Sequence, residues 1–213
     1  MTRPRLLDLY CGAGGAAVGY HRAGFEVVGV DLKFQKHYPF EFHQADALEY
    51  LADHGREFDA IHASPPCQRF SVGVPQAIRD SYPDLIAVTR DGMDGKPYVI
   101  ENVRRAPLAA NLMLCGSMFG LRSSAGTTIR RHRYFEAPWY SGLTLTCQHE
   151  PGNTITVTGN GTTSGNRDTL GRNVPTREMR EAMGIDWTNR DELSEAIPPA
   201  YTEWIGAQLM RAL

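Results

Sequence analysis

The sequence has no apolar run approaching the roughly 20 residues that a membrane-spanning helix requires, and none is expected to cross a membrane. Its first residues, MTRPRLLDLYCG, are basic, but the apolar stretch stops within a few positions at Asp8. That pattern does not read as a signal peptide, so a cytoplasmic location is expected. Cysteine is scarce: Cys11, Cys67, Cys115 and Cys147 stand far apart and form no CxxC pair. They read as reduced intracellular thiols rather than a zinc site or a disulfide framework, and no metal is expected. Net charge is also nearly missing, at -2 with a pI of about 6.4, which at first sight argues against a nucleic-acid partner. The bias of a disordered, collagen-like or coiled-coil chain is absent too. With 42% hydrophobic and 22% charged residues, 213 residues suit one globular domain with a real core.

The distribution of charge changes the first impression. Only three basic residues are lysines (Lys33, Lys36, Lys96), against 19 arginines. Residues 102–135 hold six arginines (Arg104, Arg105, Arg122, Arg130, Arg131, Arg133) and no acid. Either one face is strongly basic, or the arginines are scattered over a solvated surface; composition alone allows both.

The first half alternates strand-like and helix-like segments. Strands are expected over 5–10, 26–31, 58–63 and 97–102, with helices over 16–23, 46–53 and 82–90. Such alternation predicts an α/β fold, a doubly wound and mostly parallel sheet, in which ligands bind at the carboxyl ends of the strands. Cys11, Asp31, Cys67 and Glu101 fall there. The second half is less regular. A strand is expected over 131–136, helices over 176–183 and 198–213, and loops with one hairpin between 138 and 173, a stretch with little apolar content of its own.

Three places carry chemistry. The turn Gly12-Ala13-Gly14-Gly15 joins a strand to a helix, and Asp31 closes the next strand 19 residues beyond Gly12. Backbone can approach a ligand there, and an acid at that distance suits ribose hydroxyls, although glycine turns are common. The missing GKS or GKT ending counts against a triphosphate. Pro65-Pro66 ends a strand abruptly and displays Cys67, as a nucleophile or as a small buried thiol. Glu101 ends the apolar run Tyr98-Val99-Ile100, where a carboxylate is expensive unless it has a task or an ion-pair partner. Arg131-His132-Arg133 offers planar donors for a base carbonyl or phosphate, with His132 free to be an ordinary surface side chain.

Taken in order, these motifs resemble the DNA cytosine-5 methyltransferases. DLYCGAGG at 8–15 is similar to the family's cofactor motif, PPCQRFS at 65–71 to its catalytic loop, and ENV at 101–103 to its substrate-base motif. RHR at 131–133 is similar to the paired arginines, and PTREMREAMG (175–184) and IPPAYTEWIGAQL (197–209) to the last two motifs. The resemblance implies the Rossmann-like sheet of S-adenosylmethionine-dependent methyltransferases, with 1–137 and 174–213 as catalytic domain and 138–173 as a reduced target-recognition insert. It implies S-adenosyl-L-methionine as methyl donor and cytosine-containing DNA, duplex first, as partner. Cys67 would add to carbon 6 of a flipped cytosine, Glu101 would hold ring nitrogen 3, and Arg133 with Arg131 the ring carbonyl. Asp8, Tyr10, Cys11, Gly12, Gly14, Gly15, Asp31, Leu32, Asp46, Ala47, Pro66 and Glu195 would surround the cofactor, and Asn102 would brace the loop.

The chain also departs from the pattern. Ile129 stands where glutamine usually opens the paired-arginine motif, and Ser194 and Glu195 replace Gly-Asn near the last one. The interval 134–173 has 40 residues where the family inserts a long recognition segment. These departures leave two alternatives: the same chemistry on RNA, single-stranded DNA or a cytosine nucleotide, or a non-catalytic nucleic-acid-binding relative. Target sequence, biological role and oligomeric state are not legible.

Overall fold

A computed structural model describes all residues except Met1, Gly73, Asp94 and 159–163. Strands β1 (Arg5–Leu9), β2 (Glu26–Asp31), β3 (Glu41–Gln44), β4 (Ala60–Ala63) and β5 (Tyr98–Asn102) pair in parallel. The sheet is completed by β6 (Leu112–Leu114) and β8 (Arg133–Glu136) in the order β3-β2-β1-β4-β5-β8-β6, with β8 antiparallel to both neighbours.

The central strands read as near-continuous apolar runs because both sheet faces are covered. In β1, Leu6 packs into one core with Tyr20, Phe25, Tyr201, Ile205 and Leu209, while Leu7 and Leu9 pack into the other with Leu51, Phe58 and Ile61. The first face is roofed by α1 (Gly15–Ala23) and α8 (Pro199–Ala212), the second by α2 (Ala47–His54) and α4 (Ile86–Gly92). Helix α1 lies very close to α8 because Gly19 has no side chain. A Cβ there would stand 2.0 Å from Thr202 Oγ1 and 2.2 Å from the Pro199 carbonyl. Thr202 Oγ1 donates to the Ala16 carbonyl at 2.8 Å, fixing the crossing.

A smaller third core joins α6 (Thr176–Met183) and α7 (Arg190–Glu195) to the strands β7 (Thr128–Ile129) and β9 (Thr154–Ile155), through Ile129, Ile155, Val157, Met179, Met183 and Leu193. The hairpin expected within 138–173 does not form among the described residues. Instead β9 pairs in parallel with β7, and a helix, α5 (Ser164–Leu170), follows. Part of the expected loop, 159–163, lies outside the described residues. The short α3 (Gln76–Arg79) sits in the long segment after β4.

Candidate active site

The glycine turn opens where β1 ends. Tyr10 adopts φ 56°, a left-handed conformation that costs a β-carbon residue about 1–2 kcal/mol, and its hydroxyl is held 3.0 Å from Thr89 Oγ1 on α4. Gly12 (φ 49°) faces open space, so backbone is bare to any ligand lying there. Its N–H donates to Asp31 Oδ2 at 3.1 Å, and Lys33 N–H to Asp31 Oδ1 at 3.0 Å. Each carboxylate oxygen keeps accepting capacity for a ribose hydroxyl. Leu32, 68% exposed beside Asp31, offers an apolar lip. These groups fit an adenosine-bearing donor: a bare backbone turn, a fixed carboxylate and an uncovered apolar platform.

The other expected cofactor residues divide. Gly14 and Gly15 shape the turn, and Gly15 packs against the Ile197 carbonyl. Cys11 is nearly enclosed and its N–H bonds to the Val30 carbonyl, while burial pushes its thiol pKa well up. Asp46 is the N-cap of α2, accepting from Leu48 N at 2.9 Å and Glu49 N at 3.2 Å, with Ala47 buried as the first helical residue. Glu195, at the end of α7, is exposed. Partial desolvation raises its pKa, while its charged neighbours pull both ways, Lys33 lowering it and Asp31 raising it. Asp8 requires a correction. It is fully buried within β1, level with Gly29 and His62, and has no surface to give a ligand. Burial first, then the Asp31 charge, push its pKa well up, while the Tyr38 hydroxyl beside it acts to lower it.

Two supports of the turn escaped the sequence reading. Trp187 Nε1 donates to the Ala13 carbonyl at 2.8 Å, so the α6–α7 connection holds the turn from the far side. Beneath β4, the buried His62 ring bridges Tyr20 Oη and Ser64 Oγ, each at 3.0 Å, and burial pushes its pKa from 6.5 to about 3.

Beyond β4, Pro65 and Pro66 present Cys67, half-buried, with Ser71 Oγ donating to the Cys67 carbonyl at 2.9 Å and standing 3.5 Å from its Sγ. Asn102 does brace this loop. Its Nδ2 donates to the Pro65 carbonyl at 2.8 Å, and its Oδ1 accepts from Val103 N at 2.9 Å. The bond ties the Cys67 loop to the strand end bearing Glu101. Glu101 is buried and paired with buried Arg133 of β8, Nε to Oε1 at 3.3 Å. The charges balance, yet neither of those two atoms has a hydrogen-bond partner among the described residues, leaving capacity for a polar ring.

Arg131 is the second correction. Its guanidinium is buried and already spent on backbone, donating to the Val157 carbonyl, to Ser194 O at 2.9 Å and to Ala196 O at 2.6 Å. Tyr201 Oη in turn donates to the Arg131 carbonyl at 2.7 Å. Burial, then the neighbouring Arg133, lower its pKa to about 9. It is a clamp between β9, α7 and α8, whereas the Nε of Arg133 makes no hydrogen bond among the described residues. The arginines of 102–135 are likewise divided: Arg104, Arg105, Arg122 and Arg130 are exposed, and Arg131 and Arg133 are buried.

Residues 4–107 match the C-5 cytosine-specific DNA methylases. The likeness to that family covers nearly half of the chain. Type II methyltransferase M.XorII of Xanthomonas oryzae pv. oryzae is 33% identical over 123 residues, 49% of this chain and 29% of that protein. Type II methyltransferase M.FnuDI of Fusobacterium nucleatum is 30% identical over 112 residues, 47% of this chain and 32% of that protein. The match thus spans about a third of the length of these curated relatives. The fold extends further than the sequence likeness. The S. pombe Dnmt2 methyltransferase structure superposes with a TM-score of 0.61, covering 99% of both chains at 14% identity. In the sheet, β8 is the strand that brings Arg133 to Glu101, and it lies beyond the matched residues.

The cysteines gather differently from the expectation. Cys115 and Cys147, 32 positions apart in sequence, meet in space together with His132 and His149.

Proposed function

We propose that the chain is an S-adenosylmethionine-dependent DNA (cytosine-5-)-methyltransferase, with residues 138–173 as a reduced recognition insert and duplex DNA as substrate. The observation that carries it is the Asn102–Pro65 hydrogen bond, which ties the thiol of Cys67 to the Glu101–Arg133 pair across two neighbouring strand ends. Bound against Gly12, Asp31 and Leu32, the donor supplies an electrophilic methyl group.

The chain's own part follows from the acidities involved. Carbon 5 of cytosine is a poor nucleophile. Deprotonated Cys67 Sγ bonds to carbon 6 of the flipped base, and the ring electrons move toward nitrogen 3 and carbon 5. A proton taken from solvent as the base enters is held between Glu101 and nitrogen 3 and neutralises the charge arriving there, while Arg133 donates to the ring carbonyl. Once carbon 5 has been methylated, its proton passes to solvent water, the pair left behind re-forms the carbon 5–carbon 6 double bond, the Sγ–C6 bond breaks with its electron pair returning to sulfur, and nitrogen 3 returns its proton to Glu101. The ion pair keeps both residues oriented before the base arrives, so little reorganisation remains for the reaction.

A labelled-methyl assay over duplex DNA, single-stranded DNA, RNA and dCMP tests the reading. Transfer to duplex DNA, a sodium-dodecyl-sulfate-stable adduct with 5-fluorocytosine duplex, and loss of both in Cys67→Ser are expected. Transfer only to RNA or the nucleotide would move the substrate, and undiminished transfer by Cys67→Ser would refute the adduct.

A further inference from the structure

Cys115, His132, Cys147 and His149 converge from three segments: the end of β6, the residue preceding β8, and the irregular chain after Pro138. One ligand atom from each lies within 4.8 Å of all the others. His149 Nε2 is 3.3 Å from Cys115 Sγ and 3.1 Å from Cys147 Sγ, and His132 Nε2 is 3.4 Å from Cys147 Sγ. A tetrahedral zinc ion with ordinary Zn–S and Zn–N bonds sets sulfur and nitrogen ligands about 3.5 Å apart. The four atoms already stand near that spacing.

Hydrogen bonding alone does not account for the cluster. A single Nε2 carries either one proton or one lone pair, yet His149 Nε2 stands within bonding range of two sulfurs. One cation at the centre satisfies all four groups. Two thiolates and two imidazoles are a soft, borderline set that suits zinc over hard cations, and four protein ligands make a closed, structural site. Ser117 supplies outer support: its Oγ is 3.3 Å from Cys147 Sγ and accepts from Gln148 N at 3.2 Å.

We propose that these four residues bind one zinc ion, which staples the start of the insert to the sheet. The local chain needs such a staple. Residues 141–150 have no regular structure, and Leu143 is 93% exposed, so apolar burial contributes little there. The ion also bears on the candidate active site without entering it. His132 is exposed while Arg131 and Arg133 on either side are buried, so the ligand points away from Glu101 and holds the entry to β8 from behind.

The test is metal content, which does not depend on the proposed methyl transfer. Untagged protein reconstituted with zinc and dialysed should hold about one zinc per chain, as a four-ligand site requires. Replacement by cobalt should give the intense visible bands and the thiolate charge-transfer absorption of a tetrahedral site. Cys147→Ser should lose the metal, His149→Cys should retain it with a stronger charge-transfer band, and Cys67→Ser should retain it unchanged. Folded wild-type protein without zinc, an octahedral cobalt spectrum, or a Cys115–Cys147 disulfide in freshly isolated protein would each overturn the assignment.

Discussion

Replacing His62 by glutamine isolates one buried titratable group. The ring is wholly enclosed between Tyr20 Oη and Ser64 Oγ, and burial lowers its pKa from 6.5 to about 3. Between those values the unfolded chain binds a proton that the folded chain refuses. Stability therefore falls as pH drops below about 6.5, by roughly 1.4 kcal/mol per pH unit, and the loss stops only near the folded value. From pH 6.5 to pH 5 that amounts to about 2 kcal/mol, and over the full interval to about 5 kcal/mol. Glutamine keeps a polar atom toward Ser64 and has no proton to gain. Urea titrations of both proteins at pH 7, 6 and 5 should show glutamine costing stability at pH 7, with the difference narrowing by about 2 kcal/mol by pH 5. Surface histidines and carboxylates cancel in that comparison. A constant difference across the series would refute the reasoning. It would mean that the ring takes up its proton in the fold as readily as in the unfolded chain.

Other perturbations separate architecture from chemistry. Arg131→Ala strands three backbone carbonyls and should cost about 3 kcal/mol or more in denaturant titration, whereas Arg133→Lys, which keeps a charge beside Glu101, should hold most of the stability and lose methyl transfer. Undiminished stability in Arg131→Ala would refute the clamp. Asn102→Ala frees the Cys67 loop, so the maximal methyl-transfer rate should fall at least tenfold while donor affinity, read by calorimetry, stays within about twofold. Gly19→Ala forces α1 away from α8 and should lower stability by about 1–3 kcal/mol, seen as a lower melting temperature.

The parts of the fold legible in sequence are those set by local pattern. The β2 range 26–31 and the α6 range 176–183, ending at Gly184 with φ 67°, coincide with expectation, because an apolar run and a glycine stop are nearest-neighbour signals. Helix α7 carried such a signal unnoticed: Asn189 and Glu192 form a capping box. Strands β3 and β7 did not, since four and two residues with few enclosed apolar side chains are defined by what they pair with. The same limit applies at the site. Spacing marked Cys67, Glu101 and Arg133, but which arginine of the pair is spent on carbonyls depends on Val157, Ser194 and Ala196, far away in sequence. The meeting of Cys115 with Cys147 is nonlocal in the same way.

The contact between α1 and α8 has a consequence for biosynthesis. The turn formed by residues 12–15 is translated well before α8. Yet Ala13 O accepts from Trp187, Gly15 rests on Ile197, and Ala16 O accepts from Thr202. A ribosome-bound chain lacking these residues has a donor crevice with one wall missing. Ligand capture should therefore switch on only after α8 has emerged, and closing contacts of such long range make for slow folding.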